Sequence, residues 1–540
     1  MSLVRTFGYL ALVFILPFAV ALSPPVIFGR PRGGFLQAPD GDGPQTEDRF
    51  MVYSNITQMV DHFGNYSSTW KQRYQYNSKF YNASNGIVFL MIGGEGAISP
   101  PGDKWVRDES ITMMQWAQKY GAAAFQLEHR FYGPQENTPF GKQDTESLKL
   151  LTIDQALADI KEFIRQMNDL YFKGTNTKWV TFGGSYPGCL SAYYRETYPS
   201  TTIGAVSTSS PVNVFVDYYG YLQNTEANYR AQDKNCATSM ATAFTNMQNM
   251  FFSGIDGRGK LKSKFNLCDD FDEQNLSKGK QFFFSNVISY FQGINQYSGD
   301  NRNAATRNGL GIPKACEIMT NTSLGDEMDR VKLVLDWYTT MTGGQVGCYP
   351  NSYSDYLKKY QNTSYTDIDD VVAARSWIWQ TCTELGYFQT TDYGTNSIFG
   401  STIPVDFYSD QCIELFGPDY TLSETYRRVD IVSKKYGGAT AYKGSKVVFP
   451  NGSIDPWKSL GLLVGNSDND IDAFVIDGTA HCAEMYPASP NDKPSLTAAR
   501  SRILKNLDRW IQDALTPTGS ASQPGLLTTS IVILLYFTFT

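Results

Sequence analysis

Between Trp179 and Tyr198 a short apolar run, Trp179-Val180-Thr181-Phe182, passes through Gly183-Gly184-Ser185-Tyr186-Pro187-Gly188 into a segment with helical character, Cys189 to Tyr198. A strand buried on both faces, a glycine-rich turn and a helix is the unit from which parallel, helix-covered sheets are built. Further runs of the same kind occur at Ile87–Ile92, Ala122–Leu127 and Ile203–Val206, each ended by Gly or polar residues. Between them Ile153, Ala156, Leu157, Ile160, Phe163 and Ile164 recur at helical spacing. The expectation is an α/β fold. No period of 20–50 residues repeats, which disfavours solenoids and propellers.

The turn also carries chemistry. In a nucleophile elbow, G-x-S-x-G, the turn is tight and strained, so glycines flank the serine. Gly183 and Ser185 match the first half; the second half reads Tyr186-Pro187-Gly188, one residue late. Pro187 suits the first turn of the following helix, where a missing N–H costs little. An ordinary Gly-rich strand–helix turn is the competing reading. A serine nucleophile needs a base, and the base needs an orienting acid. The chain has three histidines, His62, His129 and His481, and only His481 follows Ser185. In α/β-hydrolases the chain order is Ser, Asp/Glu, His. Asp455, in Asn451-Gly-Ser-Ile-Asp455-Pro-Trp457 past the predicted strand Lys446–Phe449, supplies the acid. His481 follows the predicted strand Ala473–Ile476. The expected triad is Ser185, Asp455 and His481.

Two further motifs end strands. Gly93-Gly94-Glu95-Gly96 is expected to supply an oxyanion-hole N–H from Gly94, beside that of Tyr186; a plain tight turn is the alternative, and Glu95 is a candidate for the substrate pocket. Glu128-His129-Arg130-Phe131-Tyr132-Gly133 reads as structural or substrate-positioning, because His129 precedes the nucleophile. Ligand sites of open α/β sheets cluster at strand carboxyl ends, where all of these motifs lie.

The organisation along the chain follows. Residues 1–21 read as a signal peptide, with an apolar core and Ala19-Val20-Ala21 before the cut. Residues 22–49, rich in Pro and Gly, read as a linker or pro-segment. Residues 50–214 and 430–515 read as two halves of the α/β domain. Residues 215–429, rich in Asn, Tyr, Gln and Phe and holding six of the eight cysteines, read as a disulfide-tied, mostly helical insertion before Asp455. Residues 516–540 form a tail that suggests a GPI signal or a weakly membrane-associating end. Sequons at Asn55, Asn65, Asn82, Asn275, Asn321 and Asn362, with a seventh at Asn451, fit a glycosylated secretory protein and hence an oxidised cysteine framework. A formal net charge of −7 without a long basic run gives no nucleic-acid footprint. Three scattered histidines and no C-x-x-C pair point to no metal or other cofactor. Peptides are the expected partners. Membrane attachment through the tail and homodimerisation stay open, as do secreted, lysosomal and cell-surface destinations.

The segments Leu127-Glu-His-Arg-Phe-Tyr-Gly133, Gly183-Gly-Ser-Tyr-Pro-Gly188, Asn451-Gly-Ser-Ile-Asp455-Pro-Trp457 and the Ala480-His481 turn resemble the serine carboxypeptidase family of lysosomal Pro-X carboxypeptidase, dipeptidyl peptidase II and thymus-specific serine protease. The resemblance runs from about Phe50 to Leu515 and is nearest the thymus-specific and invertebrate branch. It implies an α/β-hydrolase fold with a helical cap inserted before the acid, and exopeptidase activity with a preference for proline. It also implies that Trp457 lines the pocket for the residue before the cut. Disulfides Cys236–Cys316, Cys268–Cys348 and Cys382–Cys412 follow from the same resemblance. Pro-X carboxypeptidase carries a second His after the catalytic one, with an Arg beyond. Here Cys482-Ala-Glu484-Met follows His481, so carboxypeptidase and dipeptidyl-peptidase action both remain open. An esterase or lipase of the same fold and a non-enzymatic hydrolase-fold surface binding protein are the rival readings. Cys189 and Cys482 each adjoin a triad motif, and a bridge between them is expected.

Overall fold

The computed structural model describes residues 24–34, 40–64, 66–98, 104–365, 369–394 and 396–516. The signal-peptide and tail readings and the Asn65 sequon lie outside these residues. Continuous apolar runs become the centre of one eight-stranded sheet. In chain order its strands are β1 (Met51–Met59), β2 (Thr69–Asn77), β3 (Ile87–Ile92), β4 (Ala123–Leu127), β5 (Lys178–Gly184), β6 (Gly204–Thr208), β7 (Val447–Gly452) and β8 (Ile471–Ile476). Their spatial order is β8-β7-β6-β5-β3-β4-β2-β1. The β1–β2 and β2–β4 pairs are antiparallel and the rest parallel. Strands β3 to β7 are buried along their length apart from Lys178, as two-sided burial requires.

Two apolar clusters cover the two faces of the sheet. One joins the Ile153–Tyr171 and Tyr186–Thr197 helices to the inserted helical region. The other packs the Thr112–Tyr120 and Pro494–Leu515 helices onto the opposite face. On that face a Cβ at Gly204 would fall 2.3 Å from the Trp510 ring, so β6 accepts the helix only as glycine.

Between β6 and β7 the chain is mostly helical. It includes the helices Gly220–Gln232, Lys234–Phe252, Leu276–Gln296, Glu327–Met341, Asp369–Gln380, Val405–Phe416 and Leu422–Tyr436. Cys236–Cys316, Cys268–Cys348 and Cys382–Cys412 are bridged, as the resemblance implied. The fold is therefore an α/β-hydrolase with a disulfide-tied helical cap inserted before Asp455.

The expected Cys189–Cys482 bridge does not form; both thiols are free and buried. Cys189 belongs to the apolar cluster on the cap side and Cys482 to the cluster on the opposite face, so the sheet stands between them. Burial pushes both thiols well above the ordinary range, keeping them protonated and unreactive.

Residues 24–34, within the stretch read as linker or pro-segment, are packed into the molecule. Val26–Ile27 pairs with Arg30–Pro31 as a small antiparallel hairpin, and all four residues are buried. Asn55, Asn82, Asn275, Asn321 and Asn362 are exposed. Asn451 is 1% exposed, and its amide donates to the Phe449 and Leu462 carbonyls, which leaves no room for a glycan. Among the described residues no helix is long and apolar enough to cross a membrane.

Candidate active site

Ser185 sits at the turn from β5 into the Tyr186–Thr197 helix, with φ 61° and ψ −131°. A non-glycine residue there is strained, and strain persists only where the surroundings enforce it. Three glycines do so. A Cβ on Gly183 would lie 2.1 Å from the Pro187 carbonyl oxygen, and one on Gly188 2.9 Å from the Thr208 carbonyl oxygen. One on Gly94 would meet the Pro187 ring at 2.3 Å. The late glycine of the motif is thereby explained: Gly188 faces β6, and no side chain fits between helix and strand.

Asp455 follows β7 and His481 follows β8. The His481 Nδ1 lies 2.8 Å from Asp455 Oδ2, and the other carboxylate oxygen accepts the Trp457 backbone N–H at 2.9 Å. Ser185 is 1% exposed, Asp455 and His481 0%. The next residue ties the histidine turn to the elbow: the Cys482 N–H donates to Ser209 Oγ at 3.0 Å, and its thiol is held by Ser209 and the Ser185 backbone. The structure thus carries all three expected residues just past the ends of β5, β7 and β8. Gly94 abuts Pro187, in the first turn of the helix that begins at Tyr186. That turn has the partial positive charge of a helix N-terminus.

Trp457 is buried among the rings of Tyr218, Tyr221 and Tyr387, with centroids 5.6, 5.1 and 5.3 Å away. Glu95 is 2% exposed and borders a cavity of about 240 Å³ together with Gly33, Gly34, Gly94 and Pro187.

Sequence reasoning missed Gln296, the last residue of the Leu276–Gln296 helix. Its Oε1 accepts from the Tyr221 hydroxyl at 2.7 Å and from Trp457 Nε1 at 3.0 Å, and its carbonyl accepts the His481 N–H at 3.0 Å. One cap residue thereby fixes both the acid loop and the histidine turn. Nothing in a Gln at a helix end signals this, because these three partners lie 75 or more positions away.

Gln380 was missed as well. Its amide nitrogen donates to the Tyr186 hydroxyl at 2.7 Å and its oxygen accepts from the Tyr132 hydroxyl at 2.5 Å. His129 completes this network: Nδ1 donates to the Arg130 carbonyl at 2.8 Å, and Nε2 lies 3.0 Å from the Tyr186 hydroxyl. Burial pulls the imidazole down to about 4, so it is neutral and leaves Nε2 as an acceptor. His129 is thus a buried support of the residue after Ser185. His62 pairs instead with Asp159, at 2.7 Å, and Asp159 also takes both ends of the Arg130 guanidinium.

A family model described as Serine carboxypeptidase S28 matches residues 58–503. A Caenorhabditis elegans protein named as a serine protease is 37% identical over 539 residues, 97% of this chain and 98% of its own. Mouse thymus-specific serine protease is 27% identical, covering 82% of this chain and 84% of its own. Human lysosomal Pro-X carboxypeptidase is 25% identical, covering 86% and 88%. Among solved structures, Mycobacterium smegmatis proline iminopeptidase aligns with 85% of this chain and 100% of its own at 12% identity and a TM-score of 0.34. With the family model spanning the elbow, the acid loop and the histidine turn, the chain belongs to the serine carboxypeptidase S28 family and is a serine-type peptidase.

Proposed function

We propose that the chain is an exopeptidase that works through an acyl-enzyme on Ser185, with His481 as base and Asp455 as its orienting acid. The observation that carries the reading is the buried 2.8 Å contact of Asp455 with His481 Nδ1, at strand ends beside the positive-φ elbow of Ser185. That contact keeps the Nδ1 proton in place and leaves Nε2 to accept one. His481 takes the Ser185 proton as Oγ attacks the peptide carbonyl. The carbonyl oxygen gains charge and is met by the Tyr186 and Gly94 N–H groups. His481 returns the proton to the leaving amine, and water repeats the sequence on the ester. Trp457 lies in an apolar cluster with the rings of Tyr218, Tyr221 and Tyr387 two residues after Asp455, which supports proline or another small apolar residue before the scissile bond. The sequons and the names of the lysosomal relatives support a secretory-pathway or lysosomal destination.

The test is labelling by a fluorophosphonate probe, combined with product analysis on proline-containing peptides blocked at either end. Labelling lost in Ser185→Ala, and release of products from one end of the peptides that blocking that end abolishes, is expected. Labelling that survives Ser185→Ala would sink the assignment.

A further inference from the structure

We propose that residues 24–34 are a built-in plug of the substrate cleft, so that the chain as folded here is latent and opens when this segment is displaced or removed. The proposal rests on the placement of the active site at Ser185, and four observations carry it.

First, the tip of the hairpin lies on the ring cluster. Phe28 and Gly29 turn through positive φ, 48° and 75°. A Cβ on Gly29 would fall 2.7 Å from the Trp457 ring and 2.3 Å from the Gln389 amide nitrogen. The tip backbone therefore occupies the surface of the residue two positions after Asp455. Trp377 Nε1 donates to the Phe28 carbonyl at 2.9 Å, as a receptacle would to a bound peptide.

Second, Arg30 is seated as a ligand side chain would be. It is 2% exposed, its Nε donates to the Glu95 carbonyl at 2.7 Å, and its Nη1 lies 2.9 Å from Asp370. The Gly33 N–H donates to the same Asp370 oxygen at 2.9 Å. A guanidinium is buried at this depth only when a carboxylate and further acceptors receive it.

Third, the segment runs on along the oxyanion loop. A Cβ on Gly34 would touch the Glu95 carbonyl oxygen at 3.3 Å, and one on Gly96 would meet the Gly33 carbonyl oxygen at 2.8 Å. Segment and loop are thus in backbone contact beside Gly94.

Fourth, among the described residues the hairpin pairs only with itself and adds no strand to the central sheet. Ile27 and Phe28 pack into the apolar cluster on the cap side, Phe28 edge-on to Phe388 and Tyr408. With it in place Ser185, Trp457 and His481 are at most 1% exposed. A tethered occupant is favoured over a free one by its effective concentration, and that advantage ends when the tether is cut.

The experiment places a site-specific protease sequence between Asp42 and Gly43, in the exposed stretch before β1, in the full chain. Fluorophosphonate labelling of Ser185 is timed before nicking, after nicking and gel filtration, and after adding back a synthetic peptide of residues 24–34. The expected result is at least a tenfold faster labelling after the segment leaves, reversed by the peptide. Equal rates with release confirmed by mass spectrometry overturn the plug. Where nicking does not release the segment, Arg30→Ala decides the matter: faster labelling supports the proposal and an unchanged rate overturns it. Absence of labelling in every form counts instead against Ser185 as nucleophile, which separates the two failures.

Discussion

At the residue scale, the site depends on a few atoms that have no slack. Asp455 accepts both the His481 ring and the Trp457 N–H, and it is fully buried. Asp455→Asn keeps the shape but presents an amide that can hold the wrong imidazole tautomer. We expect kcat to fall by about 10⁴-fold, the size of effect seen when such an orienting acid is lost, with the melting temperature little changed. Steady-state kinetics beside a thermal melt checks this, and a loss of less than tenfold would remove Asp455 from the mechanism. Gly183 is the second such position. Its added Cβ would sit 2.1 Å from backbone, which no rotamer relieves. Gly183→Ala is expected to cost at least about 2 kcal/mol of stability and to abolish labelling, read by denaturant unfolding and the same probe.

At the element scale, the cap helix Leu276–Gln296 ties two chain segments together, because its last residue holds both the Trp457 loop and the His481 turn. Gln296→Leu removes the acceptor for Tyr221 and Trp457 and leaves two buried donors without it. The expected cost is about 1–3 kcal/mol. A larger drop in kcat than in KM-weighted binding is expected as well, because the His481 turn and the Trp457 loop lose a common anchor. If the variant loses stability but keeps kcat, Gln296 is only structural. This coupling is also where the sequence stopped being legible. Strands β3 to β7 announced themselves as continuous apolar runs, because both faces of a central strand are buried. Strand β2 did not: Thr69–Asn77 carries Lys71, Gln72, Arg73 and Gln75, whose partners come from distant chain, such as Gln72 Nε2 donating to the Glu128 carbonyl. The turns that hold Ser185, Asp455 and His481 were legible because strand–turn–residue order is local and three histidines leave few alternatives. Gln296, Gln380 and the seating of Arg30 were not, since each depends on which surfaces the cap brings together. The Cys189–Cys482 expectation failed for the same reason: proximity to one site in sequence does not say on which side of a sheet a thiol points.

At the scale of the whole molecule, the buried titratable groups set a preferred pH. Burial pushes the carboxyls of Glu196 and Glu484 up to about 7, and that of Glu384 up to about 8, from an ordinary value of 4.5. Glu384 is raised even though its oxygens accept the Ile153 N–H at the start of a helix, so desolvation outweighs that bond. Between 4.5 and these values the native state holds more protons than the unfolded chain. The stability these groups contribute is therefore present below about pH 4.5 and lost as pH rises towards 7–8. His129 runs the other way. Its native value of about 4 lies below the ordinary 6.5, so its contribution is present above 6.5 and lost as pH falls through 4. Asp159, held below the usual carboxylate range by Arg130, adds a further loss at strongly acidic pH. Across the window from 5 to 7, three carboxyls oppose one imidazole, and the net slope favours the acidic side. The melting temperature is thus expected to be higher at pH 5 than at pH 7.5. Glu384→Gln, which keeps an oxygen for the Ile153 N–H and cannot ionise, is expected to reduce that difference. Melts of both proteins across pH 4 to 8 provide the check. A melting temperature that climbs from pH 5 to 7.5 would mean that these carboxyls ionise normally and that the molecule has no acid preference built into its core.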